Sequence, residues 1–370
     1  MPVLNYFTSD NQVERTCRFL RERGYDVRPN LPATEGRDGF QVHRFRTSTS
    51  KTIRRGINVT AARAFGAYVA GAPQWAERVE PAVYHLNDYN TLFLLPLARL
   101  QGSRVVYDMH ELFQDLDYLN SPRPVNRAVA AVSRVGLRGA EATICVSPPI
   151  RDELARLTRR PVYVVRNVPE ARHLEGEEDP TVSTHLRDGR RHLLYLGGLQ
   201  VQKGDRWMLQ MLSHLPSHYA LTCLAGRAPK NEPFLEEARR LGVRSRLEIF
   251  DYVPQAKLYP TIRYAWAGVS AFVPNSRIYD FALPNKLFEY LLAGLPVIAS
   301  NARAQAELVR SSGLGIVLPL DAPAEAAAQL LSWIPPEVTP QAVHEAGLTW
   351  EQERRALARV YDSLGIDVER

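Results

Sequence analysis

The stretch YDFALPNKLFEYLLAGLPVIAS, residues 279–300, combines the start of a helix, an amphipathic helix and an apolar strand. Pro284 suits the first turn of a helix, because its ring fixes φ and its missing N–H is not needed there. Apolar residues then recur at helical spacing in NKLFEYLL, and a Gly-Leu-Pro turn leads into the run VIAS. The stretch therefore predicts a helix followed by a buried strand, as in parallel α/β sheets.

Lys286 and Glu289 lie three residues apart on this helix, and two interpretations of the pair are open. The first is a surface ion pair, which stabilises a helix by about 0.2–0.5 kcal/mol. The second is a ligand site, because a lysine beside the positive end of the helix dipole is unfavourable unless an anion lies there. A diphosphate would use Lys286 and the backbone N–H groups, and Glu289 would accept hydrogen bonds from ribose hydroxyls.

The same alternation of strands and helices runs through both halves of the 370-residue chain. Predicted strands include AVYHL, RVVYDMH and ATICV in the first half, and HLLYLGG, YALTCLAG and AGVSAFVP in the second. Residues 169–191 between the halves are polar and interrupted by Pro and Gly, which is typical of a linker. We therefore predict an α/β protein with two doubly wound Rossmann-like domains, residues 1–168 and 192–345, facing a central cleft.

The composition argues against several classes of protein. Hydrophobic residues make up 45% and charged residues 23%, as in globular proteins, and no apolar run approaches the roughly 20 residues of a membrane span. The first residues lack a signal-peptide pattern, and the three cysteines lie among apolar residues, so we expect buried thiols in a cytoplasmic protein. No zinc-ligand spacing or nucleic-acid-binding motif is present, so we expect no nucleic-acid partner.

The net charge of +6 arises from an excess of arginine in the first half. A solvated arginine-rich surface is the favoured interpretation, and a phosphate-bearing or membrane partner is the alternative. The segment VNRAVAAVSRVGLRG, residues 125–139, is a candidate amphipathic helix for a membrane surface. We expect its apolar face to pack on the sheet, so a peripheral membrane contact is not favoured.

Polar residues cluster where the predicted strands end, which is where ligands bind in open α/β sheets. In the second half, Gly197 and Gly198 followed by Lys203 form a candidate phosphate-binding loop, although it matches neither common phosphate-loop spacing. An ordinary strand–helix turn with a solvated lysine is the alternative. In the first half, the residues at strand ends are His85, Asn87, Asp88, Asp108, His110 and Glu111.

These motifs resemble one known family. YLGGLQVQKG and LPNKLFEYLLAGLPVIAS resemble the nucleotide-sugar half of the retaining GT-B glycosyltransferases of family 4, and VYHLNDYN with RVVYDMHELF resembles their acceptor half. The resemblance implies transfer of a sugar from a UDP- or GDP-sugar to an acceptor, with retention of anomeric configuration and without a metal or other cofactor. It also implies that a C-terminal helix, residues 346–370, crosses back to the first domain.

The resemblance assigns roles to individual residues as well. His110 would be a catalytic residue beside the donor sugar, and Glu289 would bind the ribose. The residues expected at the donor diphosphate are Gly197, Gly198, Lys203, Asn285 and Lys286. Candidates for contact with the base are Arg227, Tyr252 and Val253. Candidates on the acceptor side are His85, Asn87, Asp88, Asp108 and Glu111.

Two positions depart from the family pattern. Gly198 stands where the family usually has Arg, so one phosphate charge is missing or comes from elsewhere, for instance from Arg206. Phe281 stands where the first Glu of a Glu…Glu pair is expected, and the adjacent Asp280 is our candidate catalytic replacement. Two other functions stay open, a nucleotide-sugar epimerase or hydrolase on the same frame and a non-catalytic protein that binds sugar nucleotides.

Overall fold

The computed structural model describes residues 11–27, 81–113, 123–172, 174–199, 204–226 and 231–366, together with short pieces at 30–31, 43–44, 53–54, 57–58, 70 and 73. The chain divides into two compact units. The first comprises Met1–Arg166 and Arg354–Arg370, and the second comprises Asn167–Glu353. Within the described ranges, no helix is long and apolar enough to cross a membrane.

The first unit contains a parallel sheet of four strands in chain order. Its strands are β1 Val83–Asn87, β2 Arg104–Met109, β3 Ala142–Cys145 and β4 Val162–Val164. The helices whose bounds are described before the second unit are α1 Asn11–Glu22, α2 Leu95–Leu100, α3 Arg123–Gly139 and α4 Pro148–Ala155, and a 3-10 helix spans Tyr89–Leu94. Two-residue strands pair as Asn30–Leu31 with His43–Arg44 and as Ile53–Arg54 with Ile57–Asn58.

Helix α3 packs closely on the elements that follow β1 because two of its residues are glycines. A Cβ added to Gly136 would lie 2.6 Å from Leu92 Cδ1, and one added to Gly139 would lie 2.7 Å from Leu95 Cδ2. The inward-facing Leu137 is completely buried. The same helix also contacts the sheet, as expected, because the Ser133 hydroxyl lies 3.0 Å from the Tyr107 hydroxyl of β2.

The second unit contains a parallel sheet of six strands. In chain order the strands are β5 Arg191–Leu196, β6 Tyr219–Leu224, β7 Leu247–Phe250, β8 Ala267–Ser270, β9 Val297–Ser300 and β10 Gly315–Leu318. Across the sheet their order is β7-β6-β5-β8-β9-β10, so the chain turns outward in both directions from β5 and β8. The gap between these two strands is the switch point at which doubly wound sheets bind ligands.

Helices cover both faces of the second sheet. They are α5 Pro180–Leu186, α6 Asp205–Ser213, α7 Glu232–Arg240, α8 Gln255–Ile262, α9 Arg277–Phe281, α10 Asn285–Leu292, α11 Arg303–Ser312, α12 Pro323–Ser332 and α13 Pro340–Glu345. A 3-10 helix, Arg244–Arg246, precedes β7. Successive residues of β5 point into two different hydrophobic cores. Leu194 and Leu196 belong to one core, and Leu193 and Tyr195 belong to the other. Burial on both faces explains why the strands are almost wholly apolar.

Part of the predicted linker, residues 169–191, is helical. Asp179 begins α5 by accepting hydrogen bonds from the N–H groups of Thr181 and Val182 at 3.0 and 3.1 Å. Val182 and Leu186 are buried in the core of the second unit. Residues 180–186 are therefore a packed element of that unit, because a capped helix with an apolar face buries surface that an extended linker would expose.

The last helix, α14, spans Trp350–Asp362 within the segment that we expected to cross between domains. The division between the two units falls inside it, since residues from Arg354 onward belong to the first unit. In that unit, α14 forms ion pairs with the first helix and the residue after it, Arg354 with Glu22 and Asp362 with Arg23, each at 2.5 Å.

Tyr290 of α10 joins the two strands at the switch point. Strands β5 and β8 are paired at only two positions, Leu193 with Ala267 and Leu194 with Gly268. Beyond them, the Leu196 N–H donates to the Tyr290 hydroxyl at 2.9 Å, and that hydroxyl donates to the Val269 carbonyl at 3.1 Å. The ring fits because Gly268 has no side chain, and an added Cβ would lie 2.1 Å from Tyr290 Cγ.

We expect Gly268→Ala to destabilise the second unit by about 1–3 kcal/mol or more, because the new methyl group must displace the Tyr290 ring. The free energy of unfolding is to be measured by urea denaturation. Gly176→Ala is the matched control, since its Cβ would lie 3.4 Å from the nearest atom, the Ala256 carbonyl oxygen. Equal stability of the two variants would contradict this account of the switch point.

Candidate active site

A glycine turn follows β5 at the switch point, as the sequence predicted. Gly197 has a φ of 104°, which glycine adopts without steric cost, and its N–H donates to the Leu224 carbonyl at 3.1 Å. The Tyr195 hydroxyl donates to the Gly198 carbonyl at 3.2 Å. No described atom lies within 4 Å of a Cβ added to Gly197, so the turn presents open backbone next to a packed strand.

Helix α6 begins after this turn with Gly204 at its N-terminal end. Gly204 has a φ of 67°, and its Cα lies close to the end of β8, because an added Cβ would be 2.7 Å from Ala271 Cβ. Arg206, the alternative source of a phosphate charge, is exposed in the first turn of α6. Lys203, which the sequence places in the diphosphate site, lies outside the described residues.

Lys286 is a buried cation at the start of α10, with 8% of the residue exposed. Its Nζ lies 3.7 Å from the centroid of the Tyr195 ring, a cation–π contact of the kind that desolvation strengthens. Burial raises the pKa of the Cys223 thiol in β6, and the nearby charge of Lys286 opposes that rise. Lys286 thus differs from a solvated surface lysine, and Tyr195 connects it to the Gly197–Gly198 turn.

The other predicted residues of α10 lie in the same first two turns of the helix as Lys286. Asn285 is exposed at the first position of the helix, and Glu289 is half-buried one turn further on. Pro284 precedes them and forms no side-chain capping bond to the first backbone N–H groups. The start of this helix therefore combines a buried cation, backbone N–H groups that no proline side chain can cap and a half-buried carboxylate.

Asp280 has a structural contact that the sequence did not predict. Its Oδ1 accepts a hydrogen bond from the backbone N–H of Arg303 at 2.8 Å, at the first residue of α11. The neighbouring Phe281 is buried, and the Arg303 guanidinium lies 5.7 Å from its ring centroid. Phe281 therefore packs as an apolar residue between helices, and the catalytic role of Asp280 stays a prediction.

We expect Asp280→Ala to lower the free energy of unfolding by about 1 kcal/mol, because α11 loses an acceptor for its first N–H. Asp280→Asn keeps an oxygen at that position and should cost less. Urea denaturation measures the free energy of unfolding of both variants. If alanine and asparagine lower it equally, the acceptor oxygen at this position contributes little to stability. A drop in kcat for Asp280→Asn at unchanged stability would support the predicted catalytic role.

Tyr252 lies in the loop that follows β7, and its side chain lies beside the same glycine turn. Its residue is 60% exposed, and its hydroxyl lies 3.8 Å from the position of a Cβ on Gly198. Its ring lies against Gly226, where a Cβ would be 2.8 Å from Tyr252 Cε2. An exposed tyrosine ring held in this way suits stacking on a nucleotide base. Val253 is half-buried next to it, and Arg227 lies outside the described residues.

In the first unit, His110 lies between two carboxylates at the end of β2. Its backbone N–H donates to Asp88 Oδ1 at 3.1 Å. The ring Nδ1 lies 3.9 Å from Asp88 Oδ2, and the ring Nε2 lies 3.6 Å from Asp108 Oδ1. The side chain is 18% exposed, so the imidazole is held in place and still reaches the surface of the unit.

His85 is buried behind this group and has both ring nitrogens occupied. Its Nε2 lies 3.1 Å from Asp108 Oδ2, and its Nδ1 lies 2.7 Å from the Tyr361 hydroxyl of α14. Because both ring nitrogens already have hydrogen-bond partners, neither is available to an acceptor sugar. The contacts of His85 instead hold the Asp108 carboxylate in position. Tyr361 was missed by the sequence analysis, because nothing near it in sequence indicates a partner 276 residues away.

The two carboxylates around His110 have opposite pKa shifts. Burial raises the pKa of Asp88 to about 6, although His110 opposes the rise. Burial also acts to raise the pKa of Asp108, but the charge of His110 and hydrogen bonds from His110 and His85 outweigh it and lower the pKa. Such divergence between neighbouring carboxyl groups is typical of sites that handle protons or charge.

The remaining acceptor-side candidates divide between interior and surface. Asn87 is buried at the end of β1, and its Nδ2 has no hydrogen-bond partner in the described part of the chain. Glu111 is exposed immediately after His110. Among the same described residues, no group of three or more His, Cys, Asp or Glu side chains is arranged to hold a metal ion.

We expect Asp88→Asn to change how stability depends on pH. A carboxyl with a pKa raised from 3.8 to about 6 makes the folded state bind a proton more tightly, so the free energy of unfolding falls as pH rises from about 4 to about 6. The fall is at most about 3 kcal/mol. Asparagine tolerates the φ of 57° and keeps the acceptor for His110, but has no proton to release.

The measurement is urea denaturation of both proteins at several pH values between 4 and 7. The wild-type protein should lose stability relative to Asp88→Asn over this range, whereas the exposed-site control Asp152→Asn should follow the wild type. Parallel curves for wild type and Asp88→Asn would contradict the raised pKa.

Comparison with known proteins identifies the class. Residues 10–168 match the family model "Glycosyltransferase Family 4", and residues 190–334 match "Glycosyl transferases group 1". No curated protein matches the chain.

Solved structures share the fold over nearly the whole chain. A sucrose-phosphate synthase from Thermosynechococcus elongatus has 16% identity and a TM-score of 0.74, covering 95% of this chain and 92% of its own. HepE from Anabaena, in complex with UDP-glucose, has 15% identity and a TM-score of 0.71, covering 98% and 99%. A glycosyltransferase from Rickettsia africae has 12% identity and a TM-score of 0.67, covering 99% and 98%.

The two matched families account for the two parallel α/β sheets, of four and six strands, in the order in which they occur. The chain is therefore a glycosyltransferase of the GT-B type.

Proposed function

We propose that the protein transfers a sugar from a nucleotide diphosphate sugar to an acceptor, with retention of anomeric configuration. The observation that carries the proposal is Lys286, a buried cation in the first turn of α10, whose Nζ lies over the ring of Tyr195 close to the Gly197–Gly198 turn at the switch point. A nucleoside diphosphate supplies the negative charge that this arrangement accommodates. The complex of HepE with UDP-glucose, a protein of the same fold, is consistent with such a donor.

The donor would bind along the carboxyl ends of the second sheet. Its diphosphate would lie against the glycine turn and the first turn of α10, with Lys286 and Lys203 as the cations. Glu289, half-buried one turn further along α10, would accept hydrogen bonds from the ribose hydroxyls. The exposed ring of Tyr252 would stack on the base.

The chemistry requires stabilisation of the diphosphate as it leaves. Fixed charges and N–H groups act strongly on such an anion, because they need no reorganisation during the reaction. Lys286, Lys203 and the start of α10 would supply them without a metal ion. His110 would donate a hydrogen bond to the transferred sugar, and the carboxylates of Asp88 and Asp108 would keep its ring oriented. Retention would follow from attack of the acceptor hydroxyl on the face that the diphosphate leaves, with transfer of the hydroxyl proton to the departing diphosphate.

The first test is a thermal-shift panel with UDP-, GDP-, TDP- and ADP-sugars. A ligand that binds only the folded state stabilises it by about 2.7 kcal/mol when its concentration is 100 times Kd. One class of nucleotide should therefore raise Tm, and no response to any of them would overturn the proposal. Release of free nucleotide, or isomerisation of the sugar, in the absence of an acceptor would favour the hydrolase or epimerase alternative.

The second test uses variants with the donor that the panel identifies. We expect Lys286→Met to raise the donor KM by about 10-fold or more, because a charge-assisted contact with the diphosphate is lost. We expect His110→Ala to lower kcat by about 100-fold with little change in donor KM. Lys257→Met is the control, because Lys257 is a surface lysine paired with Glu177 at 3.0 Å. Kinetics unchanged in both site variants would contradict the assignment.

A further inference from the structure

One face of the first unit carries arginines that are not balanced by carboxylates. We call it the arginine face and define it by Arg127, Arg134 and Arg138 of α3 and Arg159 and Arg160 of the loop between α4 and β4. All five are exposed. None of their side chains forms an ion pair with a described residue, and α3 contains no Asp or Glu. Elsewhere, exposed arginines such as Arg151 and Arg239 have carboxylate partners.

A surface pocket of about 490 Å³ forms part of this face. Its lining residues are Arg138, Ala155, Arg156, Leu157, Thr158, Arg159 and Arg160. Arg156 is the exception among the four arginines, since it pairs with Glu153 at 2.7 Å. No carboxylate lines the pocket among the described residues. Several guanidinium groups around one concave surface suit phosphate groups, which accept paired hydrogen bonds from arginine.

Exposed apolar side chains lie beside these arginines. Val132 and Val135, one turn apart on α3, are 44% and 61% exposed, whereas Ala130 and Leu137 on the other side of the helix are buried. At 100° per residue, Arg127, Arg134 and Arg138 fall in one strip along the exposed side, and Val132 and Val135 fall in the adjoining strip. This helix therefore has two apolar faces, one packed in the unit and one open to solvent.

Leu100 extends the apolar surface at the same end of the unit. It is 86% exposed at the end of α2. The neighbouring Arg99 donates to the Gly139 carbonyl at the end of α3 and pairs with Glu141 at 2.6 Å, which holds the two helix ends together. Arginines next to solvent-exposed valine and leucine side chains match the boundary between lipid headgroups and acyl chains.

We propose that the arginine face docks the protein on an anionic membrane surface. The arginines would contact lipid phosphates, and Val132, Val135 and Leu100 would enter the headgroup region. Exposed large apolar side chains on the described part of this face are aliphatic, so it offers no aromatic platform for stacking nucleic-acid bases. The pocket lies where β3 and β4 begin, whereas His110 follows the opposite end of the same sheet.

The experiment is co-sedimentation of the full chain with vesicles of phosphatidylcholine alone and of phosphatidylcholine with phosphatidylglycerol. We expect binding only to the anionic vesicles, and weaker binding as salt increases. The triple variant Arg138→Gln/Arg159→Gln/Arg160→Gln should reduce the partition coefficient by about 100-fold. The matched control Arg239→Gln/Arg240→Gln/Arg310→Gln, on exposed helices of the second unit, should bind like the wild type.

A second variant, Val132→Ser/Val135→Ser, separates a membrane from a soluble polyanion. We expect it to bind the anionic vesicles more weakly while its affinity for inorganic polyphosphate is unchanged. Thermal unfolding checks that each variant is folded, and transferase activity on soluble substrates should be unaffected, so this test is independent of the proposed function. Absence of binding to anionic vesicles, full binding by the arginine variant, or equal vesicle binding by the valine variant would overturn the proposal.

Discussion

The hydroxyl of Tyr290 is the contact on which the candidate donor site depends. Strands β5 and β8 separate after two paired positions, and this hydroxyl connects the Leu196 N–H to the Val269 carbonyl beyond that point. The separation opens the switch point for a ligand, and the hydroxyl satisfies two buried backbone groups that would otherwise be costly. Since Tyr290 also belongs to α10, the same contact fixes the helix that carries Lys286 relative to the Gly197–Gly198 turn.

Buried charges in the two units are held by different means. In the second unit, the Lys286 cation lies over an aromatic ring and next to a helix start, so a bound anion can complete its surroundings. In the first unit, hydrogen bonds connect Tyr361 to His85 and His85 to Asp108, and the His110 ring lies 3.6 Å from the other carboxylate oxygen of Asp108. Hydrogen bonds of this kind are strong at low dielectric, so they hold Asp108 and His85 in a fixed geometry beside His110.

The His110 group and the arginine-lined pocket lie at opposite edges of the sheet in the first unit. His110 and its carboxylates follow the carboxyl end of β2, whereas the pocket of the arginine face lies at the edge where β3 and β4 begin. Helix α3 connects the two ends, with buried alanine, glycine and leucine on one side and arginine and valine on the other. The sequence analysis treated the apolar residues of this helix as one face that packs on the sheet. The structure divides them, since Ala130 and Leu137 are buried whereas Val132 and Val135 are exposed.

The sequence by itself determined the alternation of strands and helices, the two α/β units, the glycine turn after β5 and the position of Lys286 in the first turn of its helix. These features follow from local rules, namely apolar periodicity, glycine and proline chemistry and the placement of polar residues at strand ends. Only the tertiary structure decided which partners those residues have. The contact of His85 with Tyr361, the capping of α11 by Asp280 and the packing of residues 180–186 join parts of the chain far apart in sequence, and no local pattern specifies such contacts, because they arise when separate elements are packed together.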